Sequence, residues 1–288
     1  MPSAKAYQDQ LDMLRRGSDP LRIAYTSSPS FLSSAGSQVK SLIVFDSSFN
    51  PPTIAHLELV NRTLANRAIV EPGSVANVLL LLAVQNADKP TVPAPLADRL
   101  AMMEQFSLAV VGGGGGGQNT DKVNVAVGIT KHARFVDKAD GVFGMFPGVE
   151  EQIYLTGYDT LIRLLDAKYY PNQTLEQALG RFMARCKIVC YIRDNPNWGT
   201  AADQVQFVDD IRAGKKPNVP QAWASRIWLL SYYAGQRGPI KLDLALVSST
   251  AARAAASQTG QSAEGLALNE IVPHGVMRYI VDNKLYVK

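Results

Sequence analysis

The chain has 288 residues, 47% of them apolar, with a formal net charge of +4 and an isoelectric point near 9.0. That length and apolar share support a large core in one domain or two. The mean hydropathy is −0.03 and the run "VLLLLAV" at 78–84 is too short to span a bilayer, so no membrane association is expected. The positive excess is small and scattered, with no basic run interleaved with aromatics, so it suits a small anionic ligand and speaks against nucleic acid.

Residues 1–16 carry charges but no apolar secretory core, and Asp9, Asp12 and Asp19 disfavour a mitochondrial presequence. A cytoplasmic or nuclear protein is expected. Residues 4–16 predict a short amphipathic helix, and the Ser-, Gly- and Pro-rich stretch 27–39 predicts a loop. Strand-like apolar runs then fall near 41–46, 77–84, 123–128, 152–156, 186–192 and 240–247. Helix-like stretches fall near 53–66, 96–110, 132–139, 159–166, 174–184, 202–212 and 220–234. The strands are continuously apolar rather than alternating, the pattern of burial on both faces. Strands alternating with helices predict an α/β fold: a Rossmann-like, doubly wound, mainly parallel six-stranded sheet with helices on both faces. The expected organisation is an N-terminal helix and loop over 1–40, on or preceding the core, followed by one domain over 41–288.

The two cysteines, Cys186 and Cys190, share one predicted strand. Four residues along a strand put them on one face but about 13 Å apart, too far for a disulfide. With three histidines spread widely, no zinc set is expected, and reduced core thiols of an intracellular protein are. The hexaglycine at 112–117 follows a helix and lacks Gly-Lys-Ser/Thr. It is therefore expected to be part of a surface loop over 112–121 rather than a phosphate loop.

Three strand-to-helix junctions carry the chemistry. "SSFNPPTIAH", 47–56, follows the first strand of the alternating pattern. Pro51 and Pro52 end that strand, and Thr53 and His56, three apart, share one face of the next helix's first turn. There, unpaired amides and the positive helix end attract phosphate. On this stretch alone, Thr53 as a simple cap and His56 as a polar residue of the first turn account for the pattern too. In "ALVSSTAARAAA", 245–256, Ser248, Ser249 and Thr250 open an alanine-rich helix. Arg253 falls three residues after Thr250 and four after Ser249, on the same face, and its guanidinium fork suits phosphate oxygens. In "IYLTGYDTLIRLL", 153–165, Gly157 allows close approach of a ligand, and Asp159 either caps the helix or accepts hydrogen bonds from a ribose.

These motifs bear a family resemblance. "SSFNPPTIAH" resembles the G-S-F-N-P-x-(H/T)-x-x-H motif of the nucleotidyltransferase superfamily, and "VSSTAAR" resembles its I-S-S-T-x-x-R partner. Within that superfamily the chain is most similar to eukaryotic nicotinamide mononucleotide adenylyltransferases, as a divergent, fungal-type member. "NADKPTVPAPLADRLAMM", "LTGYD" and the ending "NEIVPHGVMRYIVDNKLY" extend the likeness over roughly residues 41–288. The resemblance implies transfer of the adenylyl group of ATP to nicotinamide mononucleotide (NMN), and to the nicotinate form as well, giving NAD and pyrophosphate. It implies Mg²⁺ carried on the phosphates with mostly water ligands. It also implies ATP and NMN as small-molecule partners, and leaves assembly as a homo-oligomer open.

The family's site residues carry over by position. His56 would contact the transferring phosphate, with Thr53 beside it. Ser48 and Phe49 would offer backbone to the phosphates, with Ser47 before them also at the ATP site. Ser249, Thr250 and Arg253 would hold the β- and γ-phosphates, His56 and Arg253 being the expected catalytic pair. Lys89 would lie near the phosphates, and Gly157 and Asp159 beside the adenosine ribose. Two departures stand out. Ser47 replaces the motif's opening glycine, and would be strained if a positive φ is needed there. The tryptophan segment that stacks on nicotinamide has no match, so Tyr169 or Tyr170 would supply the aromatic face, Trp198 falling out of order. Because the departures gather in the acceptor pocket and the triphosphate loop, two alternatives remain at this level. One is an adenylyltransferase for another phosphorylated acceptor such as phosphopantetheine; the other is a catalytically weak nucleotide-binding regulator.

Overall fold

The computed structural model describes residues 4–29, 31–32, 39–71, 74–84, 94–113, 123–194, 197–231, 244, 246–257 and 265–287. In chain order the elements are α1 (Ala4–Arg16), β1 (Leu21–Thr26), β2 (Val39–Asp46), α2 (Ile54–Ala65), β3 (Ala76–Ala83), α3 (Leu96–Gly113) and β4 (Val123–Thr130). There follow α4 (Phe135–Met145), β5 (Val149–Gly157), α5 (Tyr158–Leu164), α6 (Leu175–Arg185), β6 (Cys186–Ile192), α7 (Ala201–Arg212) and β7 (Ile227–Ser231). The chain closes with α8 (Ser249–Ala256), α9 (Leu268–Ile271) and α10 (His274–Asp282). Short 3₁₀ turns occupy Ala167–Tyr169 and Gln221–Arg226.

The sheet has seven strands in the order β1-β4-β3-β2-β5-β6-β7. The pairs β3–β4, β5–β6 and β6–β7 are parallel, whereas β1 runs antiparallel to β4. Without the antiparallel edge strand β1, the remaining six read 3-2-1-4-5-6 in chain order, the doubly wound arrangement in which ligands gather where the order reverses. That reversal falls at β2, and "SSFNPPTIAH" leaves its carboxyl end.

By compactness the chain divides into two units. The first comprises Met1–Ser37, Phe45–Ala133 and Leu242–Lys288. Its centre is β3, whose eight residues are all buried, as its uninterrupted apolar run implies. Helix α3 packs on β4 and also against α1, α2 and α10. The second unit comprises Gln38–Val44 and Arg134–Lys241. Tyr154 on β5 packs against Phe135 and Phe182 at ring-centroid distances of 5.4 and 5.2 Å, and its hydroxyl donates to Gln152 Oε1 at 3.0 Å. Helix α6 starts where Thr174 and Gln177 exchange capping hydrogen bonds, and buries Leu175, Leu179, Phe182 and Met183 at helical spacing.

Several boundaries differ from the sequence reading. The sheet has seven strands rather than six, because Leu21–Thr26 adds β1 at an edge. The helix expected over 220–234 is, up to residue 231, a 3₁₀ turn followed by β7 at Ile227–Ser231, and residues 232–234 lie outside the described residues. "IWLLS" is too short for its periodicity to separate strand from helix, and its β-branched and aromatic residues pair in register with β6. At the expected last strand, 240–247, residues 240–243 and 245 lie outside the described residues; Leu244 and Leu246 are in turns. Helix α3 takes in the first two residues of the hexaglycine, and the rest of the expected surface loop falls outside the described residues. Both cysteines lie buried in β6, where burial raises both thiol pKa values.

Candidate active site

The first motif begins in register with the sheet, since the Ser47 N–H donates to Leu81 O on β3 at 3.3 Å. Ser47 is therefore spent on the ladder and is not among the residues with positive φ; the left-handed residue of the loop is Phe49, at φ 42°. The condition for strain at Ser47, a positive φ, is therefore not met. Phe49 tolerates this backbone because it is wholly buried, with its ring 5.3 Å from Phe45, 5.6 Å from His56 and 6.1 Å from Phe106. Ser48 is half-buried between these two residues, and a cis peptide joins Asn50 to Pro51.

Thr53 caps α2, and His56 stands at the third helical position. The His56 N–H reaches Thr53 Oγ1 at 3.4 Å, and the Thr53 N–H donates to His56 Nδ1 at 3.0 Å, closing a reciprocal capping box. Thr53 Oγ1 lies 2.7 Å from the same Nδ1. Because Nδ1 accepts a backbone N–H, the neutral imidazole carries its proton on Nε2. Nε2 lies 3.4 Å from Ser47 Oγ, and the ring is set between Phe45 and Phe49. The capping box thus also fixes the direction of the His56 ring.

The second motif meets the first directly. Ser248 caps α8, its hydroxyl accepting from the Ala251 N–H at 3.0 Å. One residue on, Ser249 Oγ donates to the carbonyl of Pro51 at 2.8 Å. Arg253 Nη1 donates to the carbonyl of Asn50 at 2.8 Å, and Nη2 to Thr250 Oγ1 at 3.0 Å. Thr250 is exposed, while Ser249 and Arg253 are half-buried. The N-termini of α2 and α8, two hydroxyl-bearing caps and one guanidinium belong to the same unit, and the hydrogen bonds from Ser249 and Arg253 hold the two segments together. Such a grouping of donors and positive helix ends suits phosphate oxygens.

Asn50, Arg99 and Tyr286 were not singled out from the sequence. The Tyr286 hydroxyl donates to Asn50 Oδ1 at 2.8 Å. Arg99 is 3% exposed, with Nε on the Ala94 carbonyl at 2.9 Å. Burial lowers its pKa, the nearby Tyr286 phenol opposes that shift, and the charge of Arg253 adds to it. Burial raises the Tyr286 phenol well above its ordinary value, with Arg99 and Arg253 opposing, so the phenol stays a donor. Asn50 lies in the first motif itself, and "LADRLAMM" and "IVDNKLY", which carry Arg99 and Tyr286, lie in stretches of family resemblance, which was the available signal.

The remaining predicted residues sit in the second unit or outside the description. Gly157 ends β5 and is the N-cap of α5, and a Cβ there would come 2.9 Å from Asp159 Oδ1. Asp159 is thus not the cap; its carboxylate lies 3.9 Å from Arg163 Nη1, and 45% of its side chain is exposed. Tyr170 is buried, its hydroxyl donating to Leu164 O at 3.0 Å and its pKa pushed up by burial to about 12. Tyr169 is exposed, with Lys168 Nζ 5.1 Å from its ring centroid. Of the two tyrosines, packing has taken Tyr170. Trp198 is half-buried in a turn whose carbonyls accept from Gln204 Nε2. Lys89 lies outside the described residues.

A doubly wound sheet whose first parallel strand ends in this loop, braced by a serine-capped late helix, defines the Rossmann-like fold of the nucleotidyltransferases. The chain is 32% identical over 280 residues, 97% of its length and 96% of the relative's, to a Schizosaccharomyces pombe protein described as "Putative nicotinamide mononucleotide adenylyltransferase". It belongs to the nicotinamide mononucleotide adenylyltransferase family, nucleotide-binding adenylyltransferases of NAD biosynthesis. Among solved structures, Plasmodium falciparum nicotinic acid mononucleotide adenylyltransferase complexed with NaAD matches with a TM-score of 0.51 and 14% identity, over 86% of this chain and 98% of that one. The same enzyme complexed with APC matches with a TM-score of 0.48 and 13% identity, over 86% and 98%. At these identities the likeness concerns the fold. No protein-family model matches the chain, and no described helix is long and apolar enough to cross a membrane.

Proposed function

We propose that the loop 47–56 and the start of α8 bind the triphosphate of ATP and promote adenylyl transfer to NMN, yielding NAD and pyrophosphate. The observation that carries this reading is the direct bracing of the first motif by the second, Ser249 on Pro51 and Arg253 on Asn50. An oxygen of the mononucleotide's phosphate forms a bond to the α-phosphorus of ATP. The bond from that phosphorus to the bridging oxygen of the β-phosphate breaks, and pyrophosphate leaves with the electron pair. No covalent bond to the protein is required, so the protein's part is alignment and stabilisation of developing charge.

In this reading the Nε2–H of His56 donates to the transferring phosphate, its direction set by the capping box at Nδ1. Amides of Ser48 and Phe49, the hydroxyls of Thr53, Ser249 and Thr250, and the Arg253 guanidinium were the expected phosphate contacts, with Ser47 at the same site; the Ser249 hydroxyl would have to give up its hydrogen bond to Pro51 to donate to a phosphate. The Ser47 N–H is engaged in the sheet, and its hydroxyl lies 3.4 Å from His56 Nε2, which leaves the loop beyond Ser47 for that role. Lys89 near the phosphates, Gly157 and Asp159 near the ribose, and Tyr169 as the aromatic face for the base rest on the family resemblance. So does acceptance of nicotinate mononucleotide, which differs from NMN by a carboxylate in place of a carboxamide.

The site residues offer hydroxyls, amides and a guanidinium, which match phosphate oxygens rather than a cation. Among the described residues no three or more His, Cys, Asp and Glu are grouped to hold a metal. Mg²⁺ would arrive on the triphosphate, where it would neutralise charge on the leaving pyrophosphate. The test is pyrophosphate release from ATP, Mg²⁺ and a panel of phosphorylated acceptors. NMN is expected to support turnover, His56→Ala to lower it by about 10²- to 10³-fold and Arg253→Ala to reduce it strongly. Wild-type turnover by His56→Ala would overturn the mechanism, and turnover with phosphopantetheine but not NMN would overturn the acceptor.

A further inference from the structure

We propose that Tyr286, delivered by the C-terminal turn, is a positioning residue for ATP: it fixes Asn50 and, through Asn50, the carbonyl on which Arg253 rests. Beyond α10 the backbone turns sharply, with the Leu285 N–H on Ile280 O at 3.0 Å and the Lys284 N–H on Val281 O at 3.2 Å. Lys284 and Tyr286 take φ values of 50° and 66°. A left-handed tyrosine is rare and persists only where its surroundings hold it. Here the turn is anchored upstream by the Tyr279 hydroxyl on Asp98 Oδ1 at 2.9 Å, where α10 packs on α3. It ends with the Tyr286 hydroxyl on Asn50 Oδ1 at 2.8 Å.

Asn50 is 5% exposed, and both of its polar ends that accept here are occupied: Oδ1 by Tyr286 and the backbone O by Arg253 Nη1 at 2.8 Å. Its neighbour Pro51 is held from the other side by Ser249. Arg253 thereby has two of its five N–H donors committed, to Asn50 and to Thr250, which orients the plane of the guanidinium before any nucleotide binds. Without the Tyr286 hydroxyl, the Asn50 side chain loses a partner in a buried position, and the peptide that carries the Arg253 acceptor gains freedom. The phenol ring is dispensable to this action; the hydroxyl is what matters.

The inference rests on the triphosphate reading above. The test is Tyr286→Phe in the full-length chain, with kcat and both KM values measured alongside wild type, and with ATP–Mg²⁺ binding measured calorimetrically. Loss of this one hydrogen bond is expected to weaken ATP by about fivefold in KM and in calorimetric affinity, with the KM for NMN within about twofold of wild type. A merely structural role would move both substrates together or neither. Unchanged ATP affinity in both measurements, or equal rises in the two KM values, would overturn the proposal. A wild-type chain that binds ATP yet makes no NAD would overturn the acceptor reading instead, and the calorimetric comparison would still decide the role of Tyr286.

Discussion

Ser249 Oγ donates to the carbonyl of Pro51 at 2.8 Å, a hydrogen bond across 198 positions of sequence. It joins the first residue of α8 to the prolines in the middle of the first motif. Ser249→Ala removes the donor and leaves the Pro51 carbonyl in a buried residue without this partner. The expected cost is about 1 kcal/mol of stability by urea denaturation. The accompanying fall in kcat/KM for pyrophosphate release is expected to be about tenfold, from misalignment of the loop. A variant destabilised as expected but with wild-type turnover would show that the brace serves folding alone.

Thr53 and His56 allow the cap to be separated from the donor. Thr53→Val deletes the hydroxyl that caps α2 but keeps the backbone N–H that holds His56 Nδ1. It should lose about 1 kcal/mol of stability, the usual value of a helix cap, and about tenfold in kcat, because the same hydroxyl lies 2.7 Å from His56 Nδ1 and is an expected phosphate contact. His56→Ala removes the Nε2 donor and should lose about 10²- to 10³-fold in kcat. Equal losses in the two variants, read from single-turnover rates, would transfer the chemistry to the threonine hydroxyl.

Ser47→Gly restores the residue expected from the family motif. The Ser47 backbone has an ordinary φ and its N–H is paired with Leu81, so glycine relieves no strain; its effect must come from removing the hydroxyl 3.4 Å from His56 Nε2. The KM for ATP should therefore fall, by about two- to fivefold, the worth of a weak competing contact. Stability should drop by about 0.5–1 kcal/mol because glycine is freer in the unfolded chain. A higher KM in Ser47→Gly would mean that the serine hydroxyl itself contacts ATP.

Much of this architecture is legible in the amino-acid sequence, and the exceptions have physical causes. The run 186–192 and the helix 4–16 emerge with their boundaries intact because each has a single strong pattern, apolar residues interrupted only by Lys187 in one and helical spacing in the other. "LRIAYT" was missed as β1 because an edge strand needs little apolar content: only Leu21 in it is buried. "IWLLS" became β7 against a helical expectation because pairing with β6 decides a short apolar run. The two phosphate motifs are visible as strand-to-helix junctions with capping residues. Tyr286 is not, since its role depends on a turn after α10 that brings residues 236 positions apart into contact. Local pattern carries no trace of such a closure. The same holds for Tyr169 and Tyr170, adjacent in sequence and separated only by which ring is buried.

The second unit offers an acid-sensitive element that can be tested apart from catalysis. Asp203 accepts from the Thr200 N–H at 2.8 Å and the Thr200 hydroxyl at 2.7 Å, beside Gly199 at φ 75°. These bonds lower its pKa below the ordinary 3.8, with the side-chain bond the larger cause. A carboxylate with a depressed folded-state pKa stabilises fully above the unfolded value, and that stability is lost as pH falls through the folded value. Unfolding free energy from denaturant titrations should therefore decline on acidification below about pH 4. Asp203→Asn should be less stable than wild type at neutral pH and should show a shallower decline in that range. The difference between the two proteins should close toward the acid end, where Asp203 is protonated in both folded and unfolded chains. Parallel pH profiles for the two proteins would exclude Asp203 as a source of the acid dependence and leave the cap of α7 to Thr200 alone.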